Sequence, residues 1–254
     1  MIYGFLNQGS GIGNQLHRMI ATRIKAMELR TDWRMIYRPD NSGKIEGFKA
    51  KDFIEFDETK IIYALPMEPA NIWNEKKLVE GGVDIRFYDP EFNFIKDNTI
   101  IEGEFQDERY WKQHEEEMDE WLKVKPLEMP NDVCVIGFRG GEYSIFPELF
   151  LPKEYWEEGI ERMKEINPNM KFEVHTDDER LAKQFFPNFK VISNPEINWK
   201  SMRFAKYAII ANSSFYILPR WLSCELTIAP RMWARRNIGV WSMNQNYYRR
   251  FTHI

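Results

Sequence analysis

The chain has 254 residues, 43% hydrophobic and 15% aromatic, with 35 Lys and Arg against 39 Asp and Glu for a net charge of −4. This is enough apolar material for one large core or two small ones, and it excludes a disordered chain. The acidic balance excludes an ordinary nucleic-acid binder, whose phosphate contacts require a basic excess on one face.

The chain opens with an apolar run, Ile2–Leu6, that predicts a strand, followed by a glycine-rich turn over Gly9–Gly13. Leu16, Met19, Ile20, Ile24 and Met27 then recur at the spacing of an amphipathic helix ending near Leu29. Trp33–Tyr37 predicts the second strand, so strand, turn and helix form a Rossmann-like opening. Residues 45–100 alternate short apolar runs with charges and turns and predict no single topology. An acidic helix is expected over 107–124, and Pro126 and Pro130 bracket a polar stretch where a boundary between two domains is expected, 1–128 and 129–254.

A second alternating series begins at Val133. Strands are predicted at 133–138, Lys171–His175, Lys190–Ile192, Tyr207–Ile210 and Leu226–Ala229. Helices are predicted at 152–166, Asp178–Phe186, 199–206 and Ser213–Ser223, the first with Pro in its first turn. Alternation with short links predicts a parallel sheet covered on both faces. The expected architecture is therefore α/β, with two Rossmann-like domains whose parallel sheets face a central cleft.

Two cysteines, Cys134 and Cys224, lie in apolar stretches and are expected to be buried thiols rather than a disulfide framework. The first residues carry no basic head or long apolar stretch, and the apolar run near 207–229 is broken by Asn212, Pro219, Arg220 and Glu225. No span of the ~20 apolar residues needed to cross a bilayer remains, so a soluble, cytoplasmic protein is expected.

Four segments carry candidate chemistry. In GSGIGNQ (Gly9–Gln15), glycines after a first strand let backbone and ligand approach, and the next helix offers its first amides. Its spacing is not the dinucleotide fingerprint, because Asn14 stands where the third glycine belongs. GFRGGEY (Gly137–Tyr143) puts Arg139 at the carboxyl end of a strand, where open α/β sheets bind ligands and a guanidinium can hold a diphosphate bidentately. HTDD (His175–Asp178) puts two carboxylates at another strand end, to meet ribose or base, or, as Asp177, to cap the following helix. NSSF (Asn212–Phe215) offers hydroxyls and amides at a helix start, suited to phosphate oxygens or to capping by Ser213 or Ser214. There is no P-loop, no C-x-x-C pair, no G-x-S-x-G elbow, and no metal-ligand spacing among His17, His114, His175 and His253.

Taken in order, these segments resemble the α-1,2-fucosyltransferases of glycosyltransferase family 11. That family carries a G-G-L-G-N-Q turn, a G-Y-x-Q-S-x-x-Y-F segment, H-V-R-R-G-D-Y, S-D-D, N-S-S-F-S-W-W and I-A-P-x-x-W. This chain shows GSGIGNQ, GEFQDERYW (Gly103–Trp111), GFRGGEY, HTDD, NSSFYILPRWL and IAPRMW (Ile228–Trp233) in the same order. The resemblance implies a GT-B fold, an N-terminal acceptor-side domain and a C-terminal nucleotide-sugar domain. It further implies inverting transfer of L-fucose from a GDP-fucose donor to a glycan acceptor, without metal or other cofactor. Another nucleotide sugar, such as UDP-xylose or a GDP-hexose, and an inactive sugar-nucleotide binder are the alternatives. Arg139 matches the first arginine of the family's pair, a clamp on the donor diphosphate. Gly137, Gly140 and Glu142 stand where the family has histidine, its second arginine and aspartate. The expected site is Arg139 and Glu142 for catalysis, with Glu142 as base ahead of Asp178. Gly11, Gly13, Asn14, Gln15, Arg139, Asp177, Asp178, Asn212, Ser213, Ser214 and Phe215 are expected on the donor.

Overall fold

The computed structural model describes residues 1–39, 47–64, 71–80, 83–86, 88–231, 234–235, 241–242 and 248–254. The chain divides into two compact units, Met1–Val124 and Lys125–Ile254, the division falling a few residues before the expected 128.

In the first unit, β1 (Ile2–Asn7), β2 (Trp33–Arg38), β3 (Ile61–Ile62), β4 (Asn71–Asn74) and β7 (Thr99–Glu102) form one sheet in the order β3-β2-β1-β7-β4. Every pairing in it is parallel. β5 (Lys77–Glu80) and β6 (Val83–Arg86) make a separate antiparallel hairpin. Helix α1 (Ile12–Glu28) follows the glycine turn and is buried along most of its length. Even its charged Lys25 is buried, its ammonium 4.5 Å from the Phe92 ring centre and 2.5 Å from Glu28. Unlike the other apolar positions of its stripe, Met27 is exposed.

The expected acidic helix over 107–124 is replaced by two pieces. A 3-10 turn at Glu108–Tyr110 is capped by Asp107, and helix α2 spans only Glu115–Trp121. The break lies at Trp111, which is fully buried and donates its indole N–H to the Phe105 carbonyl at 3.1 Å.

In the second unit, β8 (Val133–Phe138), β9 (Lys171–Thr176), β10 (Lys190–Ile192), β11 (Tyr207–Ile210) and β12 (Leu226–Ala229) join β15 (Thr252–His253) in the order β10-β9-β8-β11-β12-β15. All of these pairings are parallel. The strand pair β13 (Ala234–Arg235) and β14 (Trp241–Ser242) is antiparallel. The intervening helices are α3 (Lys153–Ile166), α4 (Glu179–Phe185), α5 (Pro195–Phe204) and α6 (Ser214–Ser223). Helix α5 begins earlier than the predicted 199 because Asn194 caps it and Pro195 opens it, with Ile197 N–H donating to Asn194 Oδ1 at 2.9 Å.

Arg220 of α6 is fully buried and donates to the carbonyls of Met202, Ala205 and Leu226 and to the Thr227 hydroxyl, tying α6 to the end of α5 and to β12. Its hydrogen bonds run to neutral acceptors, and burial pulls its pKa down to about 10. Cys134 is buried in β8 as expected, and burial pushes its thiol pKa up. Cys224 corrects the expectation: it is exposed, because it takes the left-handed C-terminal position of α6 (φ +57°) at the surface.

Candidate functional site

Both sheets reverse their strand order at the first strand of the unit: β1 lies between β2 and β7, and β8 between β9 and β11. Ligands of open α/β sheets bind beyond the carboxyl ends of strands flanking such a point. In the second unit those ends carry Arg139 after β8, Asp177 and Asp178 after β9, and Asn212 to Phe215 after β11. The structure therefore brings all of these predicted residues to one edge of one sheet.

Arg139 is held there by carboxylates. Its Nη1 is ion-paired with Asp177, its Nη2 lies 3.4 Å from Glu142 Oε1, and its guanidinium carbon sits 5.2 Å from the Tyr143 ring centre. Asp177 also accepts the Gly140 backbone N–H at 2.9 Å, which locks the arginine loop to the end of β9. Asp178, not Asp177, caps α4, accepting from Leu181 N–H at 2.9 Å. The capping role expected of Asp177 thus belongs to its neighbour.

The two loop glycines follow from this closeness. A Cβ on Gly140 would lie 2.7 Å from Asp178 Cβ, and one on Gly141, whose φ is +25°, would overlap the Asp177 carboxylate. An arginine at position 140 cannot coexist with this packing. Gly137 has a similar cause: a Cβ there would lie 2.9 Å from Met202 Cε and 3.0 Å from the Tyr216 ring. That ring is buried, and its hydroxyl donates across the strand ends to the carbonyls of Phe138 (3.1 Å) and His175 (2.9 Å). Tyr216 and Asn198 are positioning residues that the sequence did not reveal. Asn198 donates to the Thr176 carbonyl and accepts from His175 Nδ1, both at 3.0 Å.

At the third strand end, Asn212 is buried, donates to the Leu149 carbonyl at 3.0 Å, and accepts the Tyr143 hydroxyl on its backbone oxygen at 3.3 Å. Its side chain braces the loop. Ser213 occupies the cap position of α6, but no side-chain cap bond forms there, which corrects the expectation that a serine hydroxyl closes this helix start. The helix start thus presents backbone amides rather than a serine cap. Ser214 and Phe215 are partly exposed, and the Phe215 ring packs edge-on to Trp199 at 5.6 Å.

In the first unit, Gly9 has a φ of +80°, and Gly11 forms the start of α1 with open space where its Cβ would be. Gly13 is buried, its carbonyl accepting the His17 Nδ1 proton at 2.8 Å; burial lowers the His17 pKa to about 4. Asn14 Oδ1 accepts from Gln106 Nε2 at 3.1 Å. Gln15, expected on the donor, has internal partners. It is buried and turned inward, donating to the Gly47 carbonyl (3.3 Å) and accepting from Lys49 N–H (2.9 Å).

The sequence also left Arg18 without a role. It lies four residues after Asn14, on the same helix face, is buried, and donates to the Gly103 carbonyl (3.0 Å) and the Ser10 hydroxyl (2.9 Å) while pairing with Glu104. The GSGIGNQ and GEFQDERYW segments therefore meet around one arginine. Of IAPRMW, Met232 and Trp233 lie outside the described residues. Among the described residues there is no group of His, Cys, Asp and Glu that could hold a metal, and no helix long and apolar enough to cross a membrane.

No family model matches the chain. It is similar to an α-1,2-colitosyltransferase of Escherichia coli, 25% identical over 262 aligned residues that cover 89% of this chain and 90% of the relative. The O-antigen biosynthesis glycosyltransferase WbnK of Escherichia coli is 28% identical over 115 residues, 39% of this chain and 38% of that protein. Among solved structures, the Escherichia coli heptosyltransferase WaaC with ADP superposes with a TM-score of 0.50 at 11% identity, covering 100% of this chain and 92% of that one. These likenesses, with the two parallel sheets, support a family 11-like glycosyltransferase of the GT-B fold that uses a nucleotide sugar.

Proposed function

We propose that the chain is an inverting, metal-independent glycosyltransferase that moves L-fucose from GDP-fucose to a hydroxyl of a glycan acceptor. The observation that carries this reading is the gathering of Arg139, Asp177 and the start of α6 at the carboxyl ends of β8, β9 and β11. In an inverting transfer an acceptor oxygen attacks the anomeric carbon as the bond to the diphosphate breaks, and the acceptor proton passes to a base. Charge grows on the departing diphosphate, so a fixed guanidinium and helix amides favour the transition state over the ground state.

Arg139 is held in place by two carboxylates, which is what such a role requires. Asp177 and Glu142 engage part of its five-donor fork, and the remaining N–H groups can meet phosphate oxygens. Glu142 remains the proposed base: it is exposed and only loosely held at 3.4 Å. Asp178 is committed to the cap of α4 and loses that candidacy. The acceptor side falls to the first unit in this reading, and the enzyme is soluble and cytoplasmic, without a cofactor.

A second reading rests on the colitosyltransferase relative. Colitose is fucose without its 3-hydroxyl, so both donors share a 6-deoxy-L-sugar. Donor consumption, read as released nucleoside diphosphate, separates the readings when GDP-fucose, GDP-colitose, GDP-mannose and UDP-xylose are offered in excess EDTA with a panel of methyl glycosides. Turnover of GDP-fucose supports the first reading and turnover of GDP-colitose alone the second. Turnover of UDP-xylose alone, or activity that needs added manganese or magnesium, contradicts the proposal.

A further inference from the structure

Glu75 follows β4, and its backbone N–H donates to the Glu102 carbonyl at 2.8 Å, beside the point where the chain leaves β7. Its side chain is buried, with Oε2 accepting the N–H groups of Glu104 at 2.7 Å and Phe105 at 3.4 Å. Phe105 has a φ of +51°, a left-handed conformation that residues with a Cβ rarely take. Two successive amides turned onto one carboxylate oxygen, with a left-handed residue between strand and loop, make the kind of concavity in which backbones hold anions. Here the anion is the chain's own.

Strained backbone persists only where its surroundings over-determine it, and the 103–106 turn is held from several sides. Arg18 donates to the Gly103 carbonyl at 3.0 Å and pairs with Glu104. Trp111 donates to the Phe105 carbonyl at 3.1 Å, and Gln106 donates to Asn14 at 3.1 Å. A Cβ on Gly103 would lie 2.7 Å from Glu75 Cβ, so the turn lies directly on Glu75 and is part of what buries it. Among the described residues, the groups facing the Glu75 carboxylate are Arg86 of β6 at 3.8 Å, the Glu104 carboxylate and the Tyr110 hydroxyl. Behind them, Glu104 is paired with Arg18, and Asp89, whose N–H the Tyr110 hydroxyl accepts, is paired with Lys76. The two amides and Arg86 favour the charged carboxylate, but burial outweighs them and raises its pKa to about 7.

We propose that Glu75 is a proton-controlled latch on the 103–106 turn: protonated, it stays buried beneath the turn, and ionised, it favours an open state in which the turn lifts away. The sign follows from what covers the carboxyl. With the turn closed, the proton is held up to about pH 7; with the turn lifted, the carboxyl meets water and regains its ordinary value of 4.5. The closed state therefore binds the proton more tightly. The latch is at full strength below about pH 4.5 and weakens as the pH rises to about 7. Opening undoes the Glu104–Arg18 and Gln106–Asn14 contacts together, since both are made through the one turn. The latch does not depend on the glycosyltransferase reading.

Amide hydrogen exchange followed by NMR on the full chain tests the latch, read as protection factors corrected for the intrinsic pH dependence of exchange. The Glu104 and Phe105 amides are compared at pH 5 and pH 8 with those of Phe5 and Leu6 in β1, in wild type and in Glu75→Gln. The latch predicts that wild-type protection at Glu104 and Phe105 falls at least tenfold between the two pH values, below a ceiling of about 70-fold set by the two pKa values. It predicts a smaller fall at Phe5 and Leu6, and less than a twofold fall at Glu104 and Phe105 in Glu75→Gln. A fall short of tenfold in wild type, or an equal fall in Glu75→Gln, overturns it. So does a fall by the same factor at Phe5 and Leu6, which would show that Glu75 titrates only with unfolding of the whole unit.

Discussion

Asp177 reaches from the end of β9 to the end of β8, pairing with the Arg139 guanidinium and accepting the Gly140 N–H at 2.9 Å. One carboxylate thus fixes both the charge and the backbone of the loop that the sequence marks as the diphosphate clamp. The arginine's position is set by its neighbours in the fold.

That relationship orders the effects of substitution. If two charge-assisted hydrogen bonds from Arg139 are made to the departing diphosphate, each contributes about 1.5–3 kcal/mol. Arg139→Ala should then lower kcat/KM by roughly 10²–10⁴. Arg139→Lys restores part of this, because a point charge lacks the planar fork. Asp177→Ala should cost less, about tenfold, and the double variant should fall short of the sum, since both act through one contact. Steady-state kinetics on variants with unchanged melts check the series. A folded Arg139→Ala that keeps more than about a third of wild-type kcat/KM would make this arginine an ordinary turn residue.

Gly140→Ala should destabilise the chain, although this glycine occupies a position where the family carries arginine. The added Cβ lies 2.7 Å from Asp178 Cβ, which is anchored as the cap of α4 and cannot yield freely. Overpacking of this kind costs about 1–3 kcal/mol, which thermal melts would register as a drop of roughly 2–12 °C at 2–4 °C per kcal/mol. An unchanged melting temperature would show that the loop shifts easily, and that the missing second arginine has another cause.

Glu75 supplies a pH signature. Burial raises its pKa from the ordinary 4.5 to about 7, against the opposing effect of the Glu104 and Phe105 amides and Arg86. A raised carboxyl pKa means that the folded state holds a proton the unfolded chain has released. The penalty is therefore absent below about pH 4.5 and complete above about pH 7. That displacement corresponds to about 3 kcal/mol as an upper bound. Glu75→Gln, which keeps an acceptor for the Glu104 N–H (2.7 Å), should change stability little at pH 5 and increase it at pH 8. Denaturant unfolding at the two pH values measures this; equal effects at both would mean that Glu75 titrates normally.

The sequence made the second unit legible and much of the first unit obscure for physical reasons. Strands such as Val133–Phe138 and Tyr207–Ile210 are buried on both faces of a parallel sheet, so they read as unbroken apolar runs between polar loops. In the first unit, β3 has two residues and β4 exposes most of its side chains, too little pattern to recognise. The 107–124 segment misled because helix propensity favours its acidic stretch, while the burial of Trp111 breaks it. At the site, motif order identified the strand ends correctly. It could not reveal that Gln15 points inward, that Asp178 rather than Asp177 caps α4, or that Arg18 and Glu104 meet across 86 positions of chain.

Calorimetric titration of GDP and of UDP into wild type and Arg139→Ala tests the central claim most directly: a guanosine diphosphate held at the strand ends of the second unit by this arginine. The account predicts that GDP binds wild type at least tenfold more tightly than UDP. It also predicts that Arg139→Ala weakens GDP by tenfold or more, the loss expected from even one charge-assisted hydrogen bond at 1.4 kcal/mol per decade. Tighter binding of UDP, or GDP binding that is unchanged in a folded Arg139→Ala, would contradict it.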